Sequence, residues 1–130
     1  MMTRLEILAT DESPKVIFDP ERGILEIAGK SLPEDTKEFY NPIITMAQSY
    51  IKNPKPHTII NLSLVYLNSS STKKVLELVT YFEEIEKKGF TVELNWFYQE
   101  HDEDMLEEGE EFERLTDLKV KFIEIPENQQ

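Results

Sequence analysis

Residues 58–65 are nearly all apolar apart from Asn61 and Ser63. A run of that length and composition suits a central β-strand covered on at least one face. The residues after it narrow the fold further. The run leads through Asn68, Ser69, Ser70, Ser71 and Thr72 into a long helical pattern with a buried stripe of Val75, Leu78, Val79, Phe82 and Ile85. Lys87-Lys88-Gly89 ends that helix, with basic residues in its last turn and a glycine cap. A buried strand feeding a helix through a short polar turn is the unit from which α/β sheets are built.

The rest of the chain repeats the alternation. Residues 5–8 have the pattern of a short strand. Residues 15–19 and 24–29 alternate, with Val16/Phe18 and Leu25/Ile27 inward, and Asp19-Pro20-Glu21-Arg22-Gly23 between them is turn material, so the two form a hairpin. Asn41-Pro42 reads as an N-cap followed by proline at the first helical position. Behind it Ile43, Met46, Ala47, Tyr50 and Ile51 make a helical stripe, which Asn53-Pro54-Lys55-Pro56 stops. Downstream, 91–98 is a strand with Val92, Leu94, Trp96 and Tyr98 on one side. Residues 102–115 form a helix packing through Met105, Leu106, Phe112 and Leu115, 119–125 a last strand, and 127–130 a frayed tail. The order is β-hairpin-α-β-α-β-α-β. It predicts an α/β domain over 1–130, a mixed β-sheet with parallel crossovers and α-helices packed on it.

Charge excludes some functions. At −12 and a pI of about 4.6 the chain cannot bind nucleic acid by general phosphate attraction. The acids concentrate at Glu100, Asp102, Glu103, Asp104, Glu107, Glu108, Glu110, Glu111 and Glu113. Between Phe39 and Leu76 there is no Asp or Glu, while Lys52, Lys55, Lys73 and Lys74 sit there, so one face is expected to be neutral to basic. With no cysteine, disulfides, thiolate metal sites and cysteine nucleophiles are excluded. Residues 1–14 carry charges and no apolar run, unlike a signal peptide, and no stretch approaches the roughly 18 apolar residues of a membrane span. The expectation is a cytoplasmic protein without a membrane or nucleic-acid partner.

Catalytic motifs are lacking. The histidines are His57, after Pro56 at the mouth of a strand, and His101, among acids. There is no Gly-rich phosphate loop, Gly-x-Ser-x-Gly or His-Glu-x-x-His. The acidic segment near Asp102 keeps open a small acid- or metal-dependent enzyme, since oxygen ligands suit Ca²⁺ or Mg²⁺. It lacks the glycine and spacing of an EF-hand loop, however, and acids at a helix N-terminus stabilise it unaided. Neither a catalytic residue nor a metal or other cofactor is therefore expected.

The turn at 68–72 carries more. One hydroxyl or amide suffices to cap a helix, yet here Asn68 and four hydroxyl residues stand in a row. Lys73 and Lys74, read as first-turn residues, oppose the helix dipole. A phosphate on Ser69 reverses that: backbone N–H groups and the dipole face the dianion, and the lysines neutralise it. Ser70, Ser71 and Thr72 are neighbouring candidates, and a plain cap is the other reading.

Asn61-Leu62-Ser63 followed by Val65-Tyr66-Leu67-Asn68-Ser69-Ser70 resembles the signature of STAS domains, the anti-sigma-factor antagonist fold, whose first turn serine is phosphorylated. The chain is more similar to the SiaC family of regulatory phosphoproteins, which is STAS-like. Three segments carry that likeness: Gly23-Ile24-Leu25-Glu26-Ile27-Ala28-Gly29 with Phe39-Tyr40-Asn41-Pro42; Tyr66-Leu67-Asn68-Ser69-Ser70-Ser71; and Asn95-Trp96-Phe97-Tyr98 leading to Asp102-Glu103-Asp104-Met105-Leu106-Glu107-Glu108-Gly109. In the second the family typically reads Tyr-Phe-Asn-Thr-Ser-Ser and phosphorylates the threonine, the position of Ser69. The resemblance implies a phosphorylation-controlled protein–protein switch. A serine/threonine kinase of anti-sigma-factor type adds the phosphate and a PP2C-type phosphatase removes it. The unphosphorylated form binds a diguanylate cyclase and raises cyclic di-GMP, favouring biofilm or aggregation. Asn68, Tyr66, Leu67, Lys73 and Lys74 would then support the phosphate or meet the partner. An anti-sigma-factor antagonist in a partner-switching pathway is the alternative within this class.

Overall fold

The computed structural model describes residues 3–127. Six strands form one sheet: β1 (Leu5–Ile7), β2 (Lys15–Asp19), β3 (Ile24–Ser31), β4 (His57–Leu67), β5 (Thr91–Gln99) and β6 (Val120–Ile125). They lie side by side in sequence order; β1–β2 and β2–β3 are antiparallel, and β3–β4, β4–β5 and β5–β6 are parallel. The expected mixed sheet, hairpin first and crossovers after, is the one observed.

Helices α1 (Thr36–Tyr50), α2 (Ser69–Tyr81), α3 (Glu83–Lys87) and α4 (Glu103–Leu115) fill the crossovers. Right-handed crossovers that all step the same way across a sheet put their helices on one face. Burial follows that rule. Phe18, Leu25, Ile27, Ile60, Leu62, Leu94 and Trp96 are buried beneath Tyr40, Ile43, Ala47, Leu78, Phe82, Ile85 and Phe112 from the helices. The alternate positions Ile17, Glu26, Ile59, Asn61 and Phe97 form the other, half-buried face. There Asn95 Nδ2 donates to Asn61 Oδ1 and to Glu93 Oε2, each at 2.8 Å. The bond to Glu93 leads the causes that hold its carboxyl below the ordinary range.

Three local expectations are corrected. Helix α1 starts at Thr36, not at Asn41-Pro42: Asp35 caps it, its carboxylate accepting from the Glu38 N–H at 3.0 Å, and Pro42 lies inside the helix. The earlier start lets Phe39 and Tyr40 join the apolar face. The long helix after the hydroxyl turn divides at Phe82, whose backbone is still helical but makes no side-chain cap for α3. In α4 the inward stripe is Met105, Gly109 and Phe112, and Leu115 faces solvent. Of the tail, Glu127 is held by its N–H to Glu100 Oε2 at 3.0 Å; 128–130 lie outside the described residues.

Candidate functional site

The hydroxyl turn sits where β4 passes into α2. Asn68 has extended backbone (φ −80°, ψ 170°), its N–H donates to Ser31 O at 3.1 Å, and its Oδ1 accepts from the Ser71 N–H at 2.8 Å. Asn68 is therefore the helix cap, and the hydroxyls after it are not required for capping.

Each hydroxyl has a different environment. Ser71 is fully buried and its Oγ accepts from Ser31 Oγ at 2.8 Å. Ser31 Oγ also lies 2.5 Å from Tyr40 OH. Its single proton being given to Ser71, the phenol must donate to it, a chain running Tyr40→Ser31→Ser71. Burial pushes the Tyr40 phenol up to about 12, outweighing the opposing effect of these hydrogen bonds. Thr72 is half-buried, its hydroxyl facing Asn68 O at 3.2 Å and Glu108 Oε1 at 3.3 Å. Ser69 and Ser70 are exposed, and among the described residues neither hydroxyl has a hydrogen-bond partner.

The lysines lie in the second turn of α2, not the first, because α2 begins at Ser69. Lys73 is exposed. Lys74 is mostly buried between helices, donating to Asn41 Oδ1 of α1 at 3.2 Å and pairing with Glu77 at 3.5 Å, so its charge is already engaged.

Tyr66 and Leu67 separate. The β3–β4 register pairs Gly29 with Leu64 but Lys30 with Tyr66, leaving Val65 as an extra residue in β4. Such a bulge breaks the in–out alternation. Val65 and Tyr66 consequently both face outward, 51% and 50% exposed, while Leu67 packs against the core margin. Beyond Leu62 β4 also parts from β5, whose register with it ends at Leu62–Trp96. Into that gap comes the start of α4. Val65, Tyr66 and Leu67 line, with Asp102, Asp104, Met105 and Glu108, a cleft of about 230 Å³. The acid-free stretch thus does not make a uniformly neutral or basic face; at its β4 end the acidic helix stands beside it.

The rest of the acidic segment is structural or superficial. The Asp102 carboxylate caps α4, accepting from the Met105 N–H at 3.1 Å. His101, in left-handed backbone at φ 73°, lies with Glu100 and Glu127 in a surface group whose ligand atoms are within 4.8 Å of one another. His57 is at the opposite end of β4, its Nδ1 2.6 Å from Thr91 Oγ1, about 30 Å of strand away from Ser69. Among the described residues no helix is long and apolar enough to cross a membrane.

The profile of the SiaC family regulatory phosphoproteins matches residues 7–125. The chain belongs to the SiaC family. An uncharacterized protein of Pseudomonas aeruginosa strain UCBPP-PA14 is 31% identical over 111 residues, 85% of this chain and 88% of its own length. Two solved structures from P. aeruginosa share the fold. One is of the diguanylate cyclase SiaD in complex with its activator SiaC (TM-score 0.87, 27% identity, 93% of this chain and 99% of the matched one). The other is apo-SiaC (TM-score 0.85, 27% identity, 94% and 99%). The SiaC family match spans the turn, the bulge and the start of α4 together. The bulge and the helix start are distant in sequence, and only the fold joins them.

Proposed function

We propose that this chain is a non-enzymatic regulator that binds a diguanylate cyclase in its unphosphorylated form and is released when Ser69 is phosphorylated. The observation that carries the site is the division of labour in the turn: Asn68 caps α2, Ser71 is buried, and Ser69 and Ser70 are exposed with free hydroxyls, Ser69 being the one at the position the family resemblance marks for phosphorylation. A kinase can therefore reach Ser69 without unfolding the helix. Placed at the first position of α2, the phosphate faces unbonded N–H groups and lies one helical turn from exposed Lys73. Family membership and the fold shared with SiaC support the partner class.

The phosphate adds about −1.5 to −2 charge and three acceptor oxygens three and four residues along the chain from the outward Tyr66 and Val65. A partner that buries those side chains must desolvate the dianion or stay away. The kinase in this reading is a serine/threonine kinase of anti-sigma-factor type and the phosphatase is of PP2C type. The setting is the cytoplasm, where their ATP and the cyclase's GTP are found.

The test uses Ser69→Ala and Ser69→Asp against the diguanylate cyclase of the same genome, reading affinity by calorimetry and cyclic di-GMP by chromatography. Ser69→Ala should bind and activate like wild type, and Ser69→Asp should lose at least tenfold. Equal behaviour of the two variants overturns the reading.

A further inference from the structure

We infer that the cleft between the β4 bulge and the start of α4 is a docking site for a basic, apolar segment of a partner protein, a lysine- or arginine-flanked stretch that seats an apolar side chain on Val65, Tyr66 and Met105. The inference rests on the partner-binding reading above and names the chemistry of the surface that the partner presents.

Two independent features meet there. The first is apolar: the extra residue in β4 turns Val65 and Tyr66 outward in succession, two of the few large apolar side chains exposed on the molecule. Regular alternation would have turned one of them into the core. The separation of β4 from β5 after Leu62 leaves room beside them, and Met105 closes the floor. The second is charge. The wall opposite is formed by Asp102, Asp104 and Glu108, and Glu103 and Glu107 lie on the same helix. Among the described residues none of these five carboxylates is in an ion pair; the pair within α4 is Glu111 with Arg114, at its far end. Lys30, beside Tyr66 in the sheet register, is the cation nearest in the ladder. An acidic wall facing an apolar floor attracts basic segments and disfavours acidic ones.

The sign of the charge alters the account of release. Against a basic partner a phosphate on neighbouring Ser69 does not act by repulsion between the two proteins. It acts by the cost of burying a dianion beside Tyr66, and by drawing the partner's cations onto itself and out of the cleft.

The test is a titration of unphosphorylated protein with fluorescent 18-residue leucine–lysine peptides, one with leucines at helical spacing and one alternating, followed by anisotropy and by ¹⁵N chemical shifts. Leucine–glutamate peptides of the same spacings are the controls. At least one lysine peptide should bind, with shifts gathered on Val65, Tyr66, Leu67 and Met105. Asp104→Asn/Glu108→Gln should weaken it roughly tenfold, whereas Glu110→Gln/Glu113→Gln, further along α4, should leave it within about twofold. The inference is overturned if neither lysine peptide binds, if the glutamate peptides bind equally, or if both double variants weaken binding alike with shifts spread along α4, which is attraction to net charge alone. No cyclase or kinase enters this titration, and Ser69→Ala, which adds no charge, should leave peptide binding unchanged. Failure of the cleft is thereby separated from failure of the Ser69 switch.

Discussion

Gly109→Ala should destabilise the protein even though it replaces a helix-interior glycine by the best helix former. Gly109 is the residue at which α4 rests on the sheet. A Cβ there would lie 2.6 Å from Trp96 Cδ1, 2.7 Å from Trp96 Nε1 and 2.8 Å from Phe122 Cε1. The indole cannot swing aside: Trp96 is 1% exposed, stacks at a 48° tilt on Phe112 at 4.8 Å, and donates from Nε1 to Met105 O at 2.9 Å. Relief requires α4 to lift by about 1 Å, the difference between these approaches and an ordinary carbon contact. Overpacking of a well-filled core costs typically 1–3 kcal/mol, and the locked ring puts this case at the upper end, about 3. Helix propensity returns about 1 kcal/mol. The net is a loss of about 2 kcal/mol, or roughly 6–10 °C in melting temperature for a chain of this size. Because Trp96 is the sole tryptophan, its fluorescence reports both the unfolding transition in urea and any change of environment in the native state. Glu110→Ala, exposed on the next position, is the control and should shift stability by less than about 0.5 kcal/mol. A Gly109→Ala protein as stable as wild type, with unchanged native fluorescence, would show that the helix is not held at contact distance and would refute the argument.

Asn68→Ala removes the cap of α2 and should cost about 1 kcal/mol, with faster amide exchange confined to the first turn of that helix. Phosphopeptide mapping after treatment with the cognate kinase should place the phosphate on Ser69 and leave buried Ser71 unmodified; label on Ser71 would mean that the helix start opens for the kinase. Tyr40→Phe deletes the donor to Ser31 and should lower stability at neutral pH by about 1–2 kcal/mol. It should also change the alkaline limb. The folded phenol, raised to about 12 from 10.0, holds its proton where the unfolded one has lost it. The stability linked to Tyr40 is thus complete below pH 10 and falls as pH rises from 10 through 12, by up to about 1.4 kcal/mol per pH unit. Urea titrations between pH 9 and 11.5 should show wild type losing stability more steeply than Tyr40→Phe, and parallel curves would contradict the burial argument.

The parts of this structure that are readable from sequence are the parts set by neighbouring residues. Strand and helix periodicity marks every large element, and the Asn68 turn stands out because its cap, its hydroxyls and its lysines are contiguous. The start of α1 is also readable but is overshadowed. Asp35 and Glu38 have the spacing of a capping box, while Asn41-Pro42 is the louder start signal. A proline well inside α1 is tolerated because the apolar face it extends, from Phe39 and Tyr40 to Tyr50, is packed against the core. Packing outweighs the proline penalty. Distance across the fold is what sequence does not carry. The Tyr40–Ser31–Ser71 chain joins residues 40 apart, and the bulge at Val65 is a register event between two strands, with no mark of its own in either. The charge of the surface near Ser69 escapes sequence for the same reason. An acid-free stretch is not a face, because a face is made by whichever elements the topology brings together.

Topology also decides how a switch can be built from so small a change. Ser69 is not a hinge; Asn68, Ser31 and the buried Ser71 hold the turn from three sides, so a phosphate there meets a rigid surface. A rigid turn transmits little conformational change, and the helix gains stability from an N-terminal dianion instead of melting. The lever that remains is local. In the proposed switch a dianion on Ser69 would change the free energy of covering Val65 and Tyr66, the side chains that the bulge has already turned outward. Regulation of this kind needs no second fold of the regulator. It requires only that the partner's contact include the immediate surroundings of one hydroxyl, and the bulge, the β4–β5 gap and the capping asparagine together present those surroundings to solvent.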